Sequence, residues 1–182
     1  TTIDLAAYKP TRAGYTFAGW FSDKALTKAV TSVKLTANTT VYAKWTPRTD
    51  TKYTVEYYLQ NLNGTYTLQE TADRTGTTEA QTVVDEKAYA HYTVKPVTTK
   101  PIAPDGSTVV RVYYTRDKYT FTFKRTADAP ESEWLTVTGR YGATVYAPKF
   151  ARDGYDFDGF DGLRPDAYGN YVIEDVSAGK TY

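Results

Sequence analysis

The side chains that carry most enzymatic chemistry are scarce in this sequence. His91 is the only histidine and cysteine is absent, so a histidine-based triad would have one candidate base and no thiol nucleophile. Its setting, Tyr89-Ala90-His91-Tyr92, reads as the edge of an element. Acids are plentiful, 21 Asp and Glu, and spacing alone leaves a glycosidase-type carboxylate pair open. A module of roughly 60 residues, however, seldom encloses the pocket of about 300 Å³ that a substrate requires. Asp153, Asp156, Asp158, Asp161 and Asp166 raise calcium as a minority reading. They do not fit an EF-hand loop, which needs alternating oxygen ligands, a glycine in sixth place and a distal Glu. Phosphate-cradling and zinc-binding motifs are missing. Asn38, Asn61 and Gln81 accompany many Lys and Thr residues, yet no motif selects a pair for an amide or ester cross-link. These residues predict no catalytic, cofactor-binding or metal site, imply no cofactor, and leave any ligand-binding residues unknown.

Composition narrows the partners. Lys and Arg number 22 against the 21 acids, and neither sign forms a block that would attract nucleic acid or anionic lipid. No apolar run approaches the roughly 20 residues of a membrane span, and the opening TTIDLAAYKP lacks the regions of a signal peptide. Neither nucleic-acid binding nor membrane insertion is expected. The absence of both Cys and Met suits a surface exposed to oxidants. Tyr numbers 18, and Tyr and Thr together favour strands, where aromatic and β-branched side chains pack on a pleated surface.

The elements repeat. Gly14-Tyr15-Thr16-Phe17-Ala18-Gly19-Trp20 matches Gly154-Tyr155-Asp156-Phe157-Asp158-Gly159-Phe160, and at the same offset Val41-Tyr42 falls on Thr181-Tyr182. The first and last segments read as copies of one unit. Recurrence of the aromatics favours a small repeated core over ligand contacts. Asp156 and Asp158, standing where the first copy has Thr16 and Ala18, are expected to face solvent. Between the copies, Tyr53, Val55, Tyr57 and Leu59 alternate with polar neighbours as a strand does. Asn61-Leu62-Asn63-Gly64 and Pro104-Asp105-Gly106 read as turns, and Thr108 to Tyr114 as a central strand apolar on both faces. One short helix is predicted over Thr78–Ala88, from Glu79, Ala80, Gln81, Glu86 and Lys87. Connectors at 46–52 and 116–118 are short, polar and free of glycine, so they restrict the modules they join.

Residues 8–45, with Pro10, Arg12, GYTFAGW and the closing VYAKW, resemble the Listeria–Bacteroides repeat, the internalin B-type B-repeat. Residues 118–182 resemble it again. Residues 53–115 are similar to the mucin-binding-protein repeat, through YTVEYY, Asn63-Gly64, Gly76 and DGSTVV. The resemblance implies a β-rich α+β chain: tandem small ubiquitin-like β-grasp modules in an elongated array, divided at 1–47, 52–116 and 117–182. It also implies that each module's first and last strands lie side by side, here Tyr53–Leu59 against Thr108–Tyr114. The expected role is a non-catalytic repeat region of a bacterial cell-surface, wall-attached or secreted protein of Gram-positive type. It would serve as an adhesin stalk or spacer, monomeric in isolation, with weak multivalent binding to a host glycoprotein, glycan or extracellular matrix. The competing readings are a carbohydrate-binding module using exposed Tyr or Trp134, and an accessory region of a secreted hydrolase.

Overall fold

The computed structural model describes residues 1–146, 149–160, 167–168 and 171–172. Two compact units are present: Thr1–Tyr57, Gln69–Asp85 and Pro96–Val112 in one, and Tyr58–Leu68, Glu86–Lys95 and Tyr113–Tyr182 in the other. In chain order the strands are β1 (Thr2–Asp4), β2 (Tyr15–Phe21), β3 (Ala29–Val30), β4 (Ser32–Lys34), β5 (Tyr42–Pro47), β6 (Thr51–Gln60) and β7 (Tyr66–Gly76). They continue with β8 (Tyr92–Val94), β9 (Val109–Arg116), β10 (Lys118–Phe123), β11 (Leu135–Arg140), β12 (Thr144–Val145) and β13 (Tyr171–Val172). The β-rich expectation holds. Helix among the described residues is confined to 3-10 turns at Leu5–Ala7 and Glu131–Glu133.

In the first unit, β2 lies between β3 and β5 in an antiparallel sheet, and β1 pairs with β4. The β2–β5 register slips between Phe17 and Gly19. Gly19 sits there at φ +113°, which a side chain would oppose. Phe17 meets Trp20 and Trp45 edge-on at centroid distances of 5.4 and 5.6 Å, and Trp20 Nε1 donates to Tyr8 O at 2.9 Å. The aromatics expected to form a full core are therefore only half-buried, while Leu5 and Phe21 are buried.

The middle of the chain builds a four-stranded sheet ordered β7-β6-β9-β8. Thr54 N donates to Thr108 O at 3.0 Å, Arg111 Nε pairs with Glu56 at 2.9 Å, and Arg116 N donates to Gln60 Oε1 at 3.2 Å. Partners advance together along β6 and β9, as they do in a parallel pair. Tyr53, Val55 and Tyr57 are buried on one face, with Val110, Val112 and Tyr114. The opposite face of β9 departs from the expected two-sided burial, since Arg111 and Tyr113 are exposed. Both predicted turns form. Gly64 (φ +89°) donates to Asn61 O, and Gly106 (φ +77°) donates to Ala103 O, each at 3.0 Å.

The helix predicted over Thr78–Ala88 does not form. Glu79 N donates to Ile102 O at 2.8 Å, Ile102 N to Ala80 O at 2.9 Å and Thr82 N to Lys100 O at 2.8 Å, so the segment pairs with distant backbone. Tyrosine hydroxyls hold the next residues of the segment: Tyr53 Oη donates to Val83 O and Tyr57 Oη to Asp85 O, both at 2.8 Å. In the second unit Lys87 N donates to Tyr114 Oη at 2.9 Å. Bonds at every second residue suit an extended chain, and β-branched Thr82, Val83 and Val84 prefer it.

The second unit also holds the β10–β11 antiparallel pair, running from Lys118↔Arg140 to Phe123↔Leu135, and the short β12–β13 pair. Phe121, Phe123, Val145 and Phe160 form its buried cluster, with Tyr119, Val137, Ala143 and Phe150 packed around it.

Candidate functional site

Both chain connections are bound by clusters of polar contacts. In the first unit, residues 48–50 join β5 to β6. Gly14 O accepts Arg48 N at 2.9 Å and Thr78 Oγ1 at 2.6 Å, and Arg48 O accepts Thr78 N at 2.9 Å. Thr51 Oγ1 lies 2.7 Å from Thr78 Oγ1 in a buried pair. The Thr78 hydroxyl proton is committed to Gly14, so Thr51 is the donor. Gly14 backs onto Pro104 so closely that a Cβ would lie 2.6 Å from Pro104 Cα. The Glu79 carboxylate takes a hydrogen bond from Tyr15, which raises the pKa of that phenol.

In the second unit Asp117 alone separates β9 from β10 and is bonded through every polar group it has. Its N donates to His91 O at 2.9 Å, its O accepts Tyr141 N at 2.8 Å, and its carboxylate accepts Thr93 Oγ1 at 2.6 Å. Arg116 reaches Gln60 O and Tyr141 O, each at 3.0 Å, and Arg140 Nη1 reaches Leu62 O at 2.9 Å. His91, at φ +66°, stacks on Tyr141 with centroids 3.8 Å apart and places Nδ1 3.0 Å from Tyr119 Oη. It sits immediately before β8, the element edge expected, with its ring engaged by two tyrosines.

The other candidates serve turns. Asp23, Asp50 and Asp105 are held below the usual carboxylate range, chiefly by side-chain hydrogen bonds from Thr27, Arg48 and Ser107. A glycosidase acid needs the opposite shift. For Asp23 the cause is a closed loop: its carboxylate accepts Thr27 Oγ1 at 2.6 Å and Lys28 N at 2.8 Å. A depressed folded pKa gives stability that is complete above the unfolded value of about 3.9 and is lost as pH falls through the folded value. An NMR titration should therefore show the Thr27 and Lys28 amide shifts constant from neutral pH down to about 4, then moving with a midpoint below it. A midpoint at or above that value would show that the turn does not depend on the carboxylate charge.

Asp153, Asp156 and Asp158 are exposed, and no metal-holding group of three acids or histidines occurs among the described residues. Asp161 and Asp166 lie outside them. Trp134 donates Nε1 to Ala129 O at 2.7 Å and carries the Lys124 ammonium 4.1 Å from its ring, so it offers no bare platform. No described helix is long and apolar enough to cross a membrane.

Geometry recurs with the sequence. Gly14 and Gly154 have φ +74° and +78°, and Gly19 and Gly159 have +113° and +112°. Tyr15 N donates to Arg12 O and Tyr155 N to Arg152 O, both at 3.1 Å, and each guanidinium covers its tyrosine ring, at 3.9 and 4.2 Å. Residues 1–44 match the Listeria–Bacteroides repeat domain. No curated protein matches the chain. The matched region contains β1 to β4 and the first half of β5. It includes Gly14, which sequence reasoning placed in a repeated motif without foreseeing its contact with Pro104. The tyrosine hydroxyl bonds to residues 83–87 were also unforeseen, although the spacing of Tyr53 and Tyr57 on one strand face was a signal for them.

Proposed function

We propose that this chain is a non-catalytic repeat region of a bacterial surface or secreted protein, working as a stalk or spacer built from modules at 1–47, 52–116 and 117–182. Repetition carries the reading. A surface-repeat family matches residues 1–44, and its glycine dihedrals and Arg-over-Tyr pairing return at 152–159. A spacer gains length from copies, whereas a catalytic site gains nothing from them. The strand order β7-β6-β9-β8 supports a β-grasp-like middle module lacking its helix, because the module's first and last strands sit together at the centre. The second B-repeat, the mucin-binding-type likeness, wall attachment and weak multivalent binding to a host glycan or matrix belong to the same proposal.

Tension entering at Thr51 and leaving at Arg116 would shear the parallel β6–β9 pair, so its bonds share the force instead of opening one by one. Single-molecule pulling on the whole chain should give one resolved force peak that releases about 65 residues at about 3.5 Å each, roughly 230 Å. Thr54→Pro, which removes the Thr54 N donor to Thr108 O, should lower that peak. Extension of this segment without a peak would overturn the reading.

A further inference from the structure

Three tyrosines gather on the sheet face opposite the buried core. Tyr113 is 36% exposed and points away from the neighbouring Tyr114, and Tyr58 alternates in the same way with buried Tyr57. The Tyr58 and Tyr113 rings are stacked at 5.1 Å with planes 25° apart, and Tyr66 meets Tyr113 edge-on at 5.0 Å. Tyr58 belongs to β6 and Tyr113 to β9, which are hydrogen-bonded neighbours.

We propose that Tyr58 and Tyr113 form an oxidative modification site at which a one-electron oxidant, of the haem peroxidase and hydrogen peroxide class, joins the two strands by a dityrosine bond. Each phenol loses one electron and its O–H proton to give a phenoxyl radical. The two radicals couple between ring carbons ortho to oxygen, forming one C–C bond. Each ring then loses the hydrogen at the coupled carbon and regains its phenol, so the pair gives up two electrons and two protons in all, and these reduce one hydrogen peroxide to two waters. Coupling needs two radicals or a radical and a ring in contact, and the stack supplies that proximity before oxidation begins. Two features direct the reaction here. The chain contains neither Cys nor Met to intercept the oxidant. Of the other close tyrosine pairs among the described residues, Tyr66 meets Tyr113 edge-on rather than stacked, and Tyr89 with Tyr114 at 4.8 Å includes a ring that is 1% exposed and whose hydroxyl accepts Lys87 N. The bond would fasten β6 to β9 covalently. This chemistry depends on the local stack and does not rest on the stalk reading.

The whole chain is treated with a peroxidase and hydrogen peroxide, the monomer is isolated, and its tryptic peptides are sequenced by tandem mass spectrometry. The segment 112–116 is expected linked to 53–74 through Tyr113 and Tyr58, at the summed mass less two hydrogens. Tyr113→Phe and, separately, Tyr58→Phe should each lose this species, while Tyr146→Phe retains it. Oxidation in denaturing urea should abolish its preference over other tyrosine pairs. The proposal is overturned if the folded monomer yields no such link, if the link forms equally well in urea, or if dityrosine arises only between molecules through exposed Tyr8, Tyr146 or Tyr168.

Discussion

Tyr57→Ala is expected to destabilise the middle sheet by about 3–5 kcal/mol, the range for deleting a buried aromatic ring. Tyr57 has 0% of its surface exposed, and its hydroxyl holds Asp85 O at 2.8 Å. Ring and hydroxyl can be separated. Tyr57→Phe keeps the packing and removes the bond, which should cost on the order of 1 kcal/mol. Trp20→Ala, at a half-buried ring of a three-stranded sheet, should fall well short of the Tyr57→Ala loss. The recurrence of the aromatics led to the expectation of a repeated core, but Tyr15 and Trp20 are only half-buried. Urea unfolding followed by a probe in the middle sheet measures the two Tyr57 variants, and a probe in the β3-β2-β5 sheet measures Trp20→Ala. Equal losses for Tyr57→Ala and Tyr57→Phe would place the energy in the hydroxyl bond, against this argument.

Gly14→Ala should be the most damaging small substitution in the first unit, and Gly154→Ala provides its control. Both glycines occupy the left-handed region, at φ +74° and +78°, so each replacement incurs roughly 1–2 kcal/mol of backbone strain. Only Gly14 has a neighbour in the way. An added Cβ would lie 2.6 Å from Pro104 Cα, 2.7 Å from its carbonyl oxygen and 2.8 Å from its Cβ, while among the described residues none comes within 4 Å at Gly154. Backbone cannot rotate aside as a flexible side chain can, so the residue must move and loosen the bonds that Gly14 O accepts from Arg48 and Thr78. Gly14→Ala is expected to exceed Gly154→Ala and to raise hydrogen exchange at the Arg48 and Thr78 amides. Equal effects of the two substitutions would show that the Pro104 contact carries no energy.

Much was legible along the chain because its causes are local. Alternation in Tyr53–Leu59 follows from a period of two, the turns at Gly64 and Gly106 from glycine's access to positive φ, and the recurrence at 154–160 from repeated residues whose dihedrals repeat with them. Burial and partner choice obey distant neighbours. Phe17 is half-buried beside Trp45 of β5, whereas Phe157, with the same flanking glycines, is 42% exposed and lies in no described strand. The counterpart of β5 would begin at Tyr182, outside the described residues. Residues 78–88 contain good helix formers, yet their backbone groups are taken by Lys100, Ile102 and the tyrosine hydroxyls. A helix in water is only marginally stable over so few residues. Partners fixed by the tertiary structure outcompete it, and no window of neighbouring residues contains those partners.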